Sequence, residues 1–427
     1  MAPTVASSQA IVTDVLDAAD EDDPFDAAID VRYEFSSYSS LLVREQPCYQ
    51  GSDADCPSGS TVLLRRELKA ERTIHRMVIS PRIGLYRDLE LSADLPIVLL
   101  DQTNLDFASG VTPQNSTVYR ENQPNSSLFT VPFNGTQRSG FGDMRIGLKY
   151  SPLNFQRDET EPTWVLGFYY TAPTGKLKTA TSDGVGEGIH TIELYTTISR
   201  RATSWLEPYF NFHGAFRFPA SETLFEDRGL TQTLVSPGNS LGIQLGTEFI
   251  PWEDNTSDAR LEFDLGFRAD YHFEGREYTQ LFEALGNSAC NSNPDCLLTT
   301  YTRELKDNPA QTLQLGHTDG ITDVEQYGIY STWIGLHYQP VRYFQLGAKF
   351  MYSRQTAHYI TNSDPGKDLD GNGPVQEDGT EGNEYSPVYL EGIDSPAGDP
   401  ASAPNATRFR AQNADSFHVM VHLTGKF

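Results

Sequence analysis

A transmembrane antiparallel β-barrel of about 12 strands is the fold this sequence predicts. Three observations predict it: apolar and polar residues alternate with a period of two from about residue 25 almost to the end, the alternating runs number twelve, and the connections between them are short and long by turns. The alternation is plainest over 261–274, where Leu261, Phe263, Leu265, Phe267, Ala269, Tyr271 and Phe273 interleave with Glu262, Asp264, Gly266, Arg268, Asp270, His272 and Glu274. The final run repeats it, with Phe417, Val419, Val421 and Leu423 on one face and His418, Met420, His422 and Thr424 on the other.

The runs span 27–45, 62–86, 89–102, 141–151, 163–173, 189–200, 204–218, 238–251, 259–275, 324–339, 342–360 and 407–427. Short turns at 86–89, 152–162, 200–203, 251–258 and 339–342 alternate with long loops at 46–61, 103–140, 174–188, 219–237, 276–323 and 361–406. In a bacterial outer-membrane barrel the short turns face the periplasm and the long loops face outside, and an even strand count returns both termini to the periplasmic end. Hydrocarbon offers no hydrogen-bond partner, so a spanning sheet closes on itself, with an apolar lipid face and a lumen face free to be polar. That division accounts for a hydrophobic content of only 38% beside 11% aromatic residues. A large soluble β-sandwich also alternates but rarely keeps so regular a loop rhythm. Residues 1–24 stand apart from the barrel at 25–427. A short helix is predicted from Ser8 to Ala19, capped by Ser7 or Ser8 and ended by the acidic stretch before Pro24, and the segment is either a periplasmic tail or a plug.

Lys and Arg total 32 against 58 Asp and Glu, a net charge of −26 that phosphate backbones repel, so no nucleic-acid partner is expected. No apolar run approaches the roughly 18–20 residues a spanning helix needs. The N-terminus shows neither the basic nor the apolar region of a leader. Four cysteines fall into two close pairs, Cys48 with Cys56 and Cys290 with Cys296, each in a polar, loop-like stretch. They read as two small disulfides of an oxidising compartment, because neither pair has zinc-ligand spacing.

Three segments carry more than periodicity. The first, within 81–96, contains Gly84-Leu85-Tyr86-Arg87-Asp88-Leu89-Glu90-Leu91; the second is Gly140-Phe141-Gly142-Asp143-Met144-Arg145-Ile146-Gly147-Leu148-Lys149-Tyr150; the third is Ala172-Pro173-Thr174-Gly175. They resemble motifs of the outer-membrane barrel family named for the meta-pathway of phenol degradation, related to the fatty-acid-transporter type of barrel. The resemblance is specific across about 81–175 and architectural beyond. It implies a barrel that handles hydrophobic or aromatic small molecules, with no catalytic residue to carry over. Long acidic loops and paired cysteines depart from that pattern. The terminal Phe427, with Leu423 and Val421, resembles the signal read by the barrel-assembly machinery, although Gly425 stands where an apolar residue is common.

With the apolar faces turned to outer-membrane lipid, the lumen is expected to receive Arg32 and Glu34, Arg76 and Arg82, Asp94, Arg145 and Lys149, and Glu193 from the first half of the barrel. The second half is expected to supply Glu207, Asn211, His213, Arg217, Gln244, Glu248, Glu262, Asp264, Arg268, Asp270, Lys349, His418 and His422. Twelve strands enclose a narrow lumen. These charges therefore either pair and close it or line a narrow polar conduit. No enzyme is expected: none of the nine histidines begins an H-x-S triplet of the kind lipid-hydrolysing barrels use, and no serine is read as a nucleophile elbow. One cofactor is considered, calcium in the 368–381 loop, where Asp368, Asp370 and Asn372 occupy ligand positions one, three and five and Gly373 the sharp turn. Position twelve is Gly379 instead of Glu, so a solvated acidic loop is the alternative. The expected role is a passive channel or transporter for small, hydrophobic or aromatic solutes. The alternative is a closed structural or adhesion barrel whose extracellular loops bind a protein partner.

Overall fold

The computed structural model describes residues 11–18, 26–47, 62–119, 127–221, 223–224, 235–254, 256–288, 301–305, 308–315, 320–361 and 408–427. Its wall is twelve strands: β1 (Ala27–Pro47), β2 (Val62–Tyr86), β3 (Leu89–Phe107), β4 (Arg145–Leu153), β5 (Thr163–Thr171), β6 (Ile189–Ser199), β7 (Leu206–Pro219), β8 (Ser240–Asp254), β9 (Ala259–His272), β10 (Tyr327–Val341), β11 (Phe344–Gln355) and β12 (Phe409–Lys426). Each strand pairs antiparallel with its neighbour in sequence, and β1 pairs with β12 from Ala28↔Lys426 to Arg44↔Phe409. The sheet is therefore a closed barrel with no free edge, so every wall strand has backbone partners on both sides.

Alternation puts the lipid face outside. Leu265, Phe267 and Leu423 are each about two-fifths exposed on the outer surface and Val421 about half, an arrangement stable only where hydrocarbon replaces water. Tyr86, Trp164, Trp205, Trp252, Tyr343 and Phe427 ring the end that carries the short turns, where amphipathic rings suit the lipid–water boundary. None of the described helices is long and apolar enough to cross a membrane, so the strands do so. The chain is a membrane-spanning antiparallel β-barrel with its short turns at one end and its long loops at the other.

The wall is uneven. β1, β2 and β3 have 21, 25 and 19 residues, whereas β4 and β5 have 9 each. Where the tall strands rise past the short ones, the inward residues become apolar: Leu42, Leu68, Ala70, Leu105 and Ala411 are fully buried and pack against Val118, Leu128, Phe129, Leu281, Ala284 and Ile360 from the loops. On the same stretch of β2, Lys69 and Glu71 face outward and pair with each other.

Two expectations about local structure change. The predicted helix from Ser8 is, over the described part, one 3-10 turn at Ile11–Thr13 followed by non-helical chain. Here the backbone amide of Leu16 donates to a barrel carboxylate instead of to its own turn, which removes the gain from helix formation. The loop expected at 103–140 is in part wall, because β3 runs on to Phe107 and pairs with Phe133–Asn134 and Arg138–Phe141.

Candidate functional site

The candidate functional region is the lumen, built in tiers. At the mouth beside the short turns, Asp14 meets Arg82 (3.0 Å) and Lys426 (3.8 Å), Leu16 N–H donates to Glu90 (3.0 Å), and Thr13 bonds Ser199 (2.9 Å), which donates to Glu207 (2.8 Å). Asp17 pairs with Arg157, which also binds Asp88 (2.6 Å). Residues 13–17 thus touch β2, β3, β6, β12 and the 154–162 turn, and so cross the mouth. Gly84 makes room: a Cβ there would lie 2.5 Å from the Asp17 carbonyl. Burial opposes ionisation of Asp14, but Lys426, Arg82 and Lys149 outweigh it and hold the carboxyl well below its ordinary range.

Above the mouth lies a tier of ion pairs. Glu90, with no exposed surface, takes Arg82 (2.7 Å) and Lys149 (3.2 Å). Arg32 lies near Glu34 (3.6 Å) and Asp94 (3.8 Å), and Arg145 joins Asp94 (3.7 Å) and Glu193. Across the barrel, Arg260 sits between Glu262 and Glu248 (4.0 Å), and Asp264 accepts from Tyr209 (2.7 Å) and Trp333 (2.6 Å), with Lys349 at 3.6 Å. His337 and His422 face each other at 5.1 Å. Aromatic rings lie over inward glycines here: a Cβ on Gly167 would meet Tyr195 at 1.9 Å, and one on Gly266 would meet Trp333 at 2.1 Å.

Higher still is a cavity of about 680 Å³. Its wall carries Arg76 bonded to Glu34 (2.8 Å), Arg72 bidentate to Asp101 (2.7 Å twice), Arg268 bidentate to Asp270 (2.6 and 2.8 Å), and Lys178 at 3.6 Å from Asp101. His213 also bonds Asp270 (2.7 Å), and His418 bonds Ser36 (2.7 Å). Ile74, Ile329, Met351, Met420 and Ile360 supply an apolar strip between these polar groups. Arg217, outside this wall, donates to the Gly238 carbonyl.

The roof is the 276–288 segment with its short helix α1 (Phe282–Gly286). Arg138, only 1% exposed, donates to Glu283 of α1 (2.6 Å) and to the carbonyls of Ser182, Gly184 and Thr179 (2.8–3.0 Å). One guanidinium thereby fastens α1, the Arg138–Phe141 segment and the 174–188 loop together. Beside it the Gly-x-Gly-Asp and Pro-Thr-Gly segments meet: Asp143 accepts from Gly175 N–H (2.8 Å) and Glu187 N–H (2.9 Å), and Met144 N–H donates to Thr174 (2.8 Å).

Sequence reading missed Asp14, Asp17, Glu90, Arg72, Asp101, Arg138, Lys178, Glu277 and Glu283. Glu90 and Arg72 share the parity of Asp94 and Arg76 and were legible by it. Arg138 and Glu283 lie in loops, where no period marks an inward side. The sequence reading also passed over Gly238-Asn239-Ser240-Leu241-Gly242, which spells G-x-S-x-G. Ser240 opens β8 inside a continuous sheet, paired with His272 in register but without a hydrogen bond to it, and a nucleophile elbow needs a strand-to-helix turn. Cys48, Cys56, Cys290 and Cys296, and the loop with Asp368, Asp370 and Asn372, lie outside the described residues.

No protein-family model matches this chain, and no curated protein matches it. Among solved structures it is similar to an outer-membrane channel from Pseudomonas putida F1, at 10% identity over 94% of this chain and 95% of that one, with a TM-score of 0.43. It is also similar to the CymD monoaromatic hydrocarbon channel, at 9% identity, 94% and 88% coverage and a TM-score of 0.33. A FadL homologue from Pseudomonas aeruginosa matches at 8% identity, 94% and 90% coverage and a TM-score of 0.32.

Proposed function

We propose that this barrel is a passive channel or transporter for small amphiphilic molecules, hydrophobic and aromatic ones among them. The observation that carries the reading is the 680 Å³ chamber inside a membrane-spanning wall, with residues 13–17 across the mouth below and α1 above. Its mixed lining suits solutes with one apolar face and a few hydrogen-bonding groups. In this reading residues 1–24 are a plug, and the charged lumen residues position solute and water instead of performing chemistry. The test is planar-bilayer conductance of the whole chain and of a form lacking residues 1–24, each shown to fold by heat-modifiable gel migration. The expected result is low conductance that rises on deletion. Silence in both forms favours the closed, partner-binding barrel, which the ion-paired lower lumen supports.

The outward apolar belt is proposed to contact outer-membrane lipid, and β12 with Phe427 to be read by the barrel-assembly machinery. The two disulfides and calcium in the 368–381 loop are further proposals. Thiol labelling with and without reductant tests the disulfides, and calcium titration of Asp370→Asn against the parent tests the loop.

A further inference from the structure

We propose that Glu277 is a recognition carboxylate for a small organic cation, an ammonium group carried on an apolar or aromatic body, bound in the upper chamber. The inference rests on the chamber reading above and names the solute class it admits.

Ten charged side chains line the chamber, five of each sign. All five cations lie within 4 Å of a carboxylate: Arg72 and Lys178 at Asp101, Arg76 at Glu34, Arg138 at Glu283 and Arg268 at Asp270. Four carboxylates are thereby neutralised. Glu277 is the fifth, and it has neither an ion pair nor a side-chain hydrogen bond among the described residues. An anionic solute would have to break an existing pair to find a counter-charge. A cation needs only to approach Glu277, and that asymmetry sets the sign of the preferred solute.

The groups around Glu277 fit the same class. Tyr278, Phe282 and Tyr327 line the cavity; Lys178 and Arg138 lie over the Tyr278 and Phe282 rings, so these residues offer the aromatic body of the solute edge-to-face contacts while Glu277 takes its charge. Tyr327 is held rigidly between the rings of His272 (4.9 Å) and His358 (4.1 Å). On its own short strand, Glu277 pairs with Thr322, and the neighbouring Arg276 is taken by Asp323 (3.4 Å). Arg217 from β7 stands beyond ion-pair distance and is engaged with a backbone carbonyl, while Glu187 approaches from the 174–188 loop. Burial pushes the Glu277 carboxyl up to about 7, against Arg217 and with Glu187 adding to the rise. A cation beside it restores the charge that burial withholds.

The probe is trimethyl(2-phenylethyl)ammonium, whose charge does not titrate, compared with 2-phenylethanol and phenylacetate by equilibrium dialysis against the whole chain in detergent. The cation is expected to bind best, to bind about tenfold more weakly to Glu277→Gln, and to bind more tightly as pH rises from about 6 to about 8 in the parent alone. Glu277→Asp should keep the preference, and heat-modifiable migration shows that each variant is folded. Equal cation binding by parent and Glu277→Gln, or tighter binding of phenylacetate, overturns the proposal. Bilayer conductance of small ions separates the two readings. If ions pass through parent and Glu277→Gln alike while the cation is not preferred, only the role of Glu277 falls; if neither form conducts even without residues 1–24, the chamber reading falls with it.

Discussion

The same strands are built two opposite ways along their length. In the membrane-spanning part of β2, Arg76 and Arg82 point inward to carboxylates; higher on the same strand and the same face stand Leu68 and Ala70, packed in an apolar cluster with no exposed surface. The outer face reverses with them, from the hydrocarbon-facing rings of β7 and β9 to Lys69 and Glu71. Alternation is common to both parts. What differs is the solvent outside, and the sequence puts apolar side chains against whichever side excludes water.

Substitutions can break or sharpen that contrast. Arg138→Ala, in the upper part, leaves Glu283 buried without its partner and should cost about 3–5 kcal/mol, read as a fall in the denaturant midpoint. The corresponding change in the chamber wall beneath that roof, Arg76→Ala, removes a water-facing pair and should cost at most about 1 kcal/mol. Leu68→Ala opens a cavity in the upper cluster, at about 2–5 kcal/mol. Leu265→Arg puts a charge on the lipid face and should cost about 2–4 kcal/mol, measured by refolding into vesicles. Lys69→Leu, outward above the membrane, should leave the midpoint unchanged; a clear gain would mean that lipid reaches that height.

The smallest effect concerns acid. Because the Asp14 carboxyl is held below its ordinary 3.8, its contribution to docking of residues 13–17 is complete above that value and is lost only as pH falls below it. Immobilisation of a spin label at position 18 should therefore be as strong at about pH 5 as at about pH 7. A loss between those values would show that the anchor is not Asp14.

Strand number and order were legible because period two survives wherever one face is dry. The same period sets Arg82, Lys149 and Lys349 on the inward face, and in the structure they lie against Glu90 and Asp264. It could not show which charges sit at one height, because strand stagger decides that. Nor could it reach Arg138, Glu277 or Glu283, whose positions are set by how loops fold over a rim. The N-terminal contacts were hidden for a further reason: a helix-forming composition says nothing of the carboxylate that captures the Leu16 amide.

The seam between β1 and β12 carries a consequence for time as well as stability. Thr424 bonds Asp30 across 394 residues of sequence, and the backbone groups of Phe427 and Ala27 bond each other in both directions. No wall with paired edges exists until those two ends meet, so every earlier stage of assembly is a curved sheet with two open margins. Contacts of such separation form slowly because the entropy of joining distant ends is lost before any bond repays it. During that interval both margins stay open to pairing with another chain, and they must be kept from it until they meet.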